Sequence, residues 1–157
     1  MATGNTTDLA ERLDAIESRL AIEDLISRYA HGFDRRSLEL MMGVWHEDAL
    51  FDLGGDFGSF RGRDEIAEAV AGFWRETPWM HHFMANPLIE IDGDSATGAV
   101  ALDCMQRHAE DGPTMVAGFY FDRFERRDGR WGIVERRFQL SYWAPLAEWK
   151  SKLGALI

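Results

Sequence analysis

The spacing of the apolar residues changes once along this chain, near Trp79, and that change limits the folds open to it. Before this point the apolar residues recur every three or four positions, which is the spacing of one helix face. After it they alternate over four long stretches, as they do in strands with two different faces. Helices followed by consecutive strands are typical of an α+β domain. The pattern therefore predicts helices packed on one face of a curved, mainly antiparallel sheet.

Three amphipathic helices are predicted in the first half of the chain. Thr7 or Asp8 caps the first helix and Gly32 is placed to end it, so that Asp34 lies just beyond the helix. One apolar face is assigned to this helix, at positions three and four apart: Leu9, Leu13, Ile16, Leu20, Ile22, Leu25, Ile26 and Tyr29. The other predicted elements are a helix over 37–45, a short hairpin over 49–60 and a helix over 64–76.

Four strands fill the second half and are separated by turn sequences. These turns lie at 92–94, 110–113 and 128–129, of which the last, an Asp-Gly pair, is a strong hairpin signal. A short helix is predicted after Pro145. The 157 residues suit one domain. We expect a flexible N-terminus over 1–7 and a C-terminal helix and tail over 144–157.

Charge and cysteine content narrow the range of partners. The chain has 27 acidic and 17 basic side chains and a formal charge of -10, which disfavours nucleic acid and anionic membranes. The single cysteine, Cys104, excludes an intrachain disulfide and suits a reducing cytoplasm. Nothing in the sequence predicts an export signal or a membrane span. We expect the partner to be a small hydrophobic molecule or another protein.

Cofactor chemistry is not predicted. The adjacent residues His81 and His82 point to opposite faces of a strand, so they cannot share a metal ion. Gly54 and Gly55 lie in a hairpin rather than at the start of a helix, so they do not form a phosphate-binding loop. We therefore expect no metal and no cofactor, and proton transfer by side chains remains.

Two titratable residues, Asp34 and His82, are predicted in apolar surroundings, which indicates acid–base chemistry. A carboxylate that holds an imidazole makes a general base with its orienting group. The alternatives are a cap or turn role for Asp34 and a packing role for the histidine. Alternation alone leaves either His81 or His82 as the inward residue, because both faces of this strand are apolar.

A cation is predicted on the buried face of the last strand, because Arg136 alternates in phase with Phe138 and Leu140. A buried guanidinium needs a carboxylate or a polar ligand, since the loss of its hydration costs several kcal/mol. Asp34 is the expected partner. The alternatives are an ordinary structural ion pair and an arginine that reaches solvent at the sheet edge.

These features resemble the SnoaL-like branch of the nuclear-transport-factor-2-like superfamily, whose members are cone-shaped α+β barrels around a deep cavity. The likeness spans roughly 20–146, and its clearest segments are 21–34, 45–51, 124–129 and His82 with Asn86. These segments are similar in type and spacing to the hexachlorocyclohexane dehydrochlorinase group. Tyr29 departs from that group and resembles bile-acid 7α-dehydratase instead. Scytalone dehydratase also combines Asp, His and tyrosines.

The resemblance implies roles for individual residues. Asp34 and His82 match a catalytic Asp-His dyad, Tyr29 matches a dehydratase tyrosine, and Arg136 matches an active-site arginine. The residues that match a substrate-binding cavity lining are Phe51, Phe73, Met80, Leu102, Cys104, Val116, Tyr120 and Phe138.

The expected activity is that of a cofactor-free lyase, such as a dehydratase, acting on a small hydrophobic, aromatic or steroid-like substrate. His82 would remove a proton from carbon and Asp34 would fix its tautomer. Tyr29 would donate to a departing oxygen and Arg136 would stabilise negative charge. An isomerase, a polyketide cyclase or a retro-aldol lyase would use the same site. A non-catalytic carrier of hydrophobic molecules would need only the cavity.

Self-association is expected as well. Trp131, Trp143 and Trp149 are predicted to form an exposed aromatic face on the open sheet, and such faces are often covered by a partner. The dehydratase-like members that the chain resembles are trimers. The resemblance therefore implies a homotrimer in preference to a dimer.

Overall fold

Three helices and six strands make up the fold seen in the computed structural model, which describes residues 4–108 and 112–146 apart from the side chains of 4–7 and Asp56. The helices are α1 (Gly4–Asp34), α2 (Leu38–Gly43) and α3 (Gly62–Glu76). The strands are β1 (Trp45–Gly54), β2 (Gly58–Arg61), β3 (Trp79–Asp92), β4 (Ser95–His108), β5 (Gly112–Arg127) and β6 (Arg130–Pro145), with a short 3-10 helix (Gly55–Phe57) between β1 and β2. The predicted α+β class is confirmed.

The six strands form one open, mixed sheet in the order β2-β1-β6-β5-β4-β3. The β1–β6 pair is parallel and the other pairs are antiparallel. The sheet does not close into a full barrel, because β2 and β3 remain as its edges. Helix α1 packs mainly on β3 and α3 packs on β1, near opposite ends of the strand order. This arrangement leaves room between the two helices over the middle of the sheet.

Helix α1 carries two apolar faces rather than the single face that was predicted. Its C-terminal half is buried on the sheet through residues such as Ile22, Ile26 and Tyr29. The four large apolar residues of its N-terminal half are more than half exposed: Leu9, Leu13, Ile16 and Leu20. Successive helical residues are roughly 100° apart, so the step of two from Leu20 to Ile22 moves the apolar stripe to the opposite side of the helix. The single-face prediction was therefore wrong.

Helix α1 also continues past Gly32 and ends at Asp34. Gly32 serves a contact between helices, because a Cβ there would lie 2.7 Å from the backbone nitrogen of Met41 in α2. The left-handed residue that follows the helix is Arg36, with a φ of 54°. The amide of Ser37 donates to the carbonyl of Gly32 at 2.9 Å and closes the turn. Asp34 is thus fixed at the C-terminal end of α1.

Replacing Gly32 by alanine should lower the free energy of unfolding by about 1–3 kcal/mol, because the added methyl group overpacks the α1–α2 contact. Urea unfolding followed by circular dichroism measures the change. Gly43→Ala is the matched control, since nothing lies within 4 Å of a Cβ at Gly43. Equal stability of the two variants would show that α1 and α2 can move apart without cost.

Several boundaries of helices and strands differ from those predicted from the sequence. Helix α1 begins at Gly4, inside the segment expected to be flexible, because no proline interrupts the residues that follow. Helix α2 ends at Gly43 because Trp45 already pairs with Ile133 as part of β1. Residues 144–145 extend β6, whereas the rest of the predicted C-terminal helix, from 147 on, lies outside the described residues. Within the described residues, no helix is long and apolar enough to cross a bilayer.

The outer face of the sheet is aromatic, but the predicted tryptophans do not form it. Trp143 is 37% exposed, as predicted, but it lines the pocket and its ring stacks on that of Phe57 with 5.5 Å between the ring centres. Trp131 is only 5% exposed, because it packs into the core and the Arg126 guanidinium lies 5.5 Å from the centre of its ring. Trp149 lies outside the described residues. Three exposed phenylalanines alternate with pocket-facing neighbours: Phe83, Phe119 and Phe121. We call these three residues the outer aromatic face.

Candidate active site

A pocket of about 440 Å³ occupies the space between α1, α3 and the sheet. All eight residues predicted to line a cavity lie on its wall: Phe51, Phe73, Met80, Leu102, Cys104, Val116, Tyr120 and Phe138. Tyr29 and His82 line it as well. Asp34 and Arg136 do not line the pocket and lie behind its wall. The wall is therefore mainly apolar, with a small number of polar groups.

Sequence reasoning missed the polar part of this wall. Glu76, Gln106 and His108 also line the pocket. Gln106 and His108 follow Cys104 at steps of two along β4, so they lie on the same face of the strand. Continuing the alternation past Cys104 would have identified them. The pocket thus combines an apolar wall with polar side chains at the end of β4.

The Asp34 carboxylate binds His82 at three points. The Nδ1 atom of His82 lies 2.6 Å from Oδ1 of Asp34, and the backbone amide of His82 donates to both carboxylate oxygens at 3.1 and 3.0 Å. The side chains are only 7% and 15% exposed for His82 and Asp34. His81 is exposed on the other face of β3, so His82 is the inward histidine. With Nδ1 bound to Asp34, Nε2 is the remaining ring nitrogen, and the imidazole has the Cys104 thiol, which also lines the pocket, as a second hydrogen-bonding neighbour.

The protonation of His82 depends on its neighbours. Burial alone lowers the pKa of this imidazole, but the Cys104 sulfur on the adjacent strand and the hydrogen-bonded Asp34 carboxylate favour the imidazolium and raise the pKa to about 9. The nearby C-terminal end of α1 also favours a cation, because the helix dipole is negative there. The Asp34–His82 pair therefore holds its proton more tightly than an isolated histidine does.

Two tyrosines share a hydrogen bond inside the pocket. The hydroxyl groups of Tyr29 and Tyr120 lie 3.1 Å apart. Burial raises the pKa of Tyr29 to about 12 and also raises the pKa of Tyr120. Both phenols are therefore neutral at physiological pH and can donate a proton. The Tyr29 ring meets the His82 ring edge to face, with 6.0 Å between the ring centres.

Arg136 is fully buried, but its partner is Asp122 and not Asp34. Its Nε and Nη2 atoms donate to the two Asp122 oxygens at 2.8 and 2.7 Å. The predicted Asp34–Arg136 pair was wrong, because Asp122 lies directly opposite Arg136 in the β5–β6 register while Asp34 is bound to His82. Asp122 follows Tyr120 by two residues and therefore lies on the same face of β5. This position could have identified Asp122 as a buried carboxylate near Arg136.

The guanidinium of Arg136 lies against the two pocket tyrosines. Its Cζ atom is 4.1 Å from the ring centre of Tyr29 and 4.5 Å from that of Tyr120. These distances are typical of cation–π contacts. The Nη1 atom has no hydrogen-bond partner among the described residues. In this structure Arg136 holds the tyrosine rings in place and adds a positive charge next to them.

Comparison with known proteins identifies the family to which this fold belongs. The sequence profile of the SnoaL-like domain matches residues 14–137. Hexachlorocyclohexane dehydrochlorinase 1 of Sphingobium indicum is 29% identical over 143 residues, which cover 86% of this chain and 89% of the relative.

Solved structures agree with the sequence comparison. The type 2 hexachlorocyclohexane dehydrochlorinase LinA superposes with a TM-score of 0.84 at 27% identity, covering 87% of this chain and 94% of that one. LinA-type3 of Novosphingobium barchaimii gives a TM-score of 0.85 at 27% identity, with coverage of 91% and 99%. A scytalone dehydratase homologue from Novosphingobium aromaticivorans shares the fold, with a TM-score of 0.75 at 21% identity and coverage of 85% and 89%. This protein therefore belongs to the SnoaL-like domain family and has the nuclear-transport-factor-2-like cone fold of the dehydrochlorinases.

Proposed function

We propose that this protein is a cofactor-free lyase that catalyses β-elimination from a small hydrophobic substrate. The observation that carries the proposal is the Asp34–His82 hydrogen bond of 2.6 Å, which occupies one ring nitrogen of a histidine that lines a mainly apolar pocket. Loss of hydrogen chloride, the reaction in the name of the dehydrochlorinase relatives, is also an elimination. The proposed chemistry is thus of the same class as that of the relatives.

In the proposed mechanism the neutral His82 is the general base. Its Nε2 atom takes a proton from a carbon next to the carbon that bears the leaving group, and the electrons of the C–H bond form the new double bond. Asp34 holds Nδ1 and stabilises the imidazolium that results. The bond to the leaving group breaks, and the leaving atom takes its electron pair. When that atom is oxygen, Tyr29 or Tyr120 donates a proton to it.

Arg136 acts in this mechanism as a positioning residue. It does not touch the substrate, because it lies behind the two tyrosine rings and is paired with Asp122. Its positive charge favours negative charge on the phenolic oxygens, which makes Tyr29 and Tyr120 better proton donors than burial alone allows.

The pocket favours a flat or polycyclic substrate. Its wall carries the rings of Phe51, Phe73 and Phe138, which suit contact with aromatic or alicyclic rings. The polar side chains Glu76 and Gln106 would bind a hydroxyl or carbonyl group remote from the reacting carbon. This arrangement suits a hydrophobic ring system with a small number of oxygen substituents.

Two probes test this proposal. The first is 3-hydroxyindan-1-one in deuterated buffer, with enone formation followed by absorbance and deuterium uptake by NMR. The second is γ-hexachlorocyclohexane, with chloride release as the readout. We expect enzyme-dependent elimination from at least one probe. Deuterium exchange without elimination would favour an isomerase or cyclase, and binding of both probes without exchange or elimination would favour a carrier.

The rate should rise with pH, because the base is the neutral form of His82. With a pKa of about 9, the neutral fraction falls about tenfold for each pH unit below that value. We therefore expect kcat/KM to increase up to about pH 9 and then level off. Asp34→Asn should move the midpoint to lower pH and reduce the plateau, since the imidazolium loses its partner. A rate that falls through this range would instead make His82 a general acid.

We also propose that the outer aromatic face is covered in a homotrimer. Phe83, Phe119 and Phe121 are 64%, 46% and 46% exposed in the single chain. Residues of this size are seldom left together in water by a monomer. Sedimentation should therefore give the mass of a trimer or of a multiple of three chains, and Phe119→Glu should remove this threefold association. An unchanged mass in that variant would exclude this face as the interface.

A further inference from the structure

The exposed apolar stripe of α1 forms a seam on the side of the helix away from the domain. Its residues are spaced by four, three and four positions, and they are 61%, 52%, 57% and 60% exposed: Leu9, Leu13, Ile16 and Leu20. At roughly 100° per residue, this seam lies about 180° from the buried residues Ile22 and Tyr29. The chain's own sheet therefore cannot cover the seam, and another molecule is needed to bury it.

The spacing of the seam is that of a coiled coil. Steps of four and three residues average roughly 3.5, which keeps a stripe facing a partner helix along its length. Leu13 and Leu20 occupy the a positions of this pattern, and Leu9 and Ile16 occupy the d positions. The seam is about three turns long, so we expect it to work together with contacts between the domains that it brings side by side.

The charges beside the seam favour a second copy of this chain as the occupant. Arg12 and Arg19 take the g positions along one edge, and Glu17 and Asp24 take the e positions along the other, all exposed. In a parallel pair in register, g of one helix meets e of the next heptad in its partner. Each arginine would then face a carboxylate of the second copy, five positions further on. An antiparallel pair would bring arginine to arginine.

The side chain of Arg12 is available for such a contact. Its only ion pair among the described residues is with Asp8, at 3.9 Å, and both side chains are strongly exposed. Arg19 by contrast also donates to the carbonyl of Ile89 at 2.9 Å. The Arg12–Glu17 pair between copies is therefore the contact that a charge-reversal experiment should address.

We propose that the α1 seam is a second self-association surface, in which α1 of one copy pairs in parallel and in register with α1 of another. This surface is separate from the outer aromatic face, because α1 packs on the opposite side of the sheet. It is also independent of the catalytic proposal. Loss of the seam contact should reduce the size of the assembly and leave the pocket intact.

Sedimentation of the full-length protein tests the seam. Leu13→Glu should halve the mass measured for the unaltered protein, because it places two carboxylates in the apolar contact. Ala15→Glu is the matched control, since Ala15 is exposed on the same helix but outside the seam, and it should leave the mass unchanged. Equal masses for Leu13→Glu and the unaltered protein would overturn the proposal.

Charge reversal and cross-linking test the orientation. Arg12→Glu and Glu17→Arg should each weaken the association through the seam, and mixing the two variants should restore it in an assembly that contains both. In the Leu13→Cys variant the new cysteine should form a disulfide with the same cysteine of the partner copy. The same a position of two helices is adjacent only when the helices are parallel and in register. Cys104 is 4% exposed, so the unaltered protein is the control for this reaction. No disulfide, or no recovery on mixing, would exclude the parallel arrangement.

Discussion

His82→Ala should give a folded protein whose elimination rate is lower by about 10²–10⁴-fold, which is the usual contribution of a general base. The imidazole lies on the pocket wall and is held by Asp34, but its removal takes away only a partly polar side chain from an edge strand. Initial rates with the two probes give the activity, and thermal unfolding shows that the fold is retained.

His81→Ala is the matched control for this experiment. His81 is the neighbouring residue on β3 and is exposed on the opposite face. Its replacement should leave kcat/KM within about twofold of the unaltered protein, since surface substitutions away from a site change little. Full activity in His82→Ala, or equal losses in both variants, would remove His82 from the role of base.

Arg136→Met should produce the largest loss of stability that we expect for a single replacement, about 3–5 kcal/mol. The change leaves the Asp122 carboxylate without its cation in a place where both side chains are fully buried. Burial of an unpaired charge costs far more than the ion pair itself contributes. Urea unfolding gives the free energy of unfolding directly.

Two further variants separate the lost charge from lost packing. Arg136→Met combined with Asp122→Leu removes both charges and should recover most of the stability, because no unpaired ion remains. Arg123→Met breaks a pair with Glu135 in which the arginine side chain is 59% exposed, and it should cost less than about 1 kcal/mol. A loss in Arg136→Met no larger than that in Arg123→Met would contradict a stabilising role for the buried pair.

The alternation of residues along the strands gave the most reliable predictions from the sequence. It placed Leu102 and Cys104 on the pocket face and predicted Arg136 as buried, because a strand residue has only two directions available. It could not give the partner of Arg136. That partner depends on the register between β5 and β6, which pairs Asp122 with Arg136. A bulge between Arg123 and Phe124, beside Asp122, shifts this register, and alternation along one strand does not reveal such a bulge.

The predictions for the helices were wrong where the same residue type can serve two structural roles. Gly32 was taken as a helix end, but a glycine is equally required where two backbones approach, as α1 and α2 do at Met41. The apolar residues of α1 were assigned to one face, although the step of two from Leu20 to Ile22 turns the stripe by roughly 200° and was visible in the sequence. Which half of the helix meets the domain, and whether Gly32 ends a helix or allows a close approach, depends on contacts between elements that a single sequence does not contain.

The hydrogen bond between Tyr29 and Tyr120 limits what a ligand can receive. Two hydroxyl groups carry two protons, and one of these is used in the bond of 3.1 Å between them. A single proton therefore remains for a bound molecule. A ligand that presents one acceptor to this pair is fully satisfied, whereas one that presents two adjacent acceptors leaves one of them unpaired. The site can in this way select between substrates that differ only in the number of oxygens at one position.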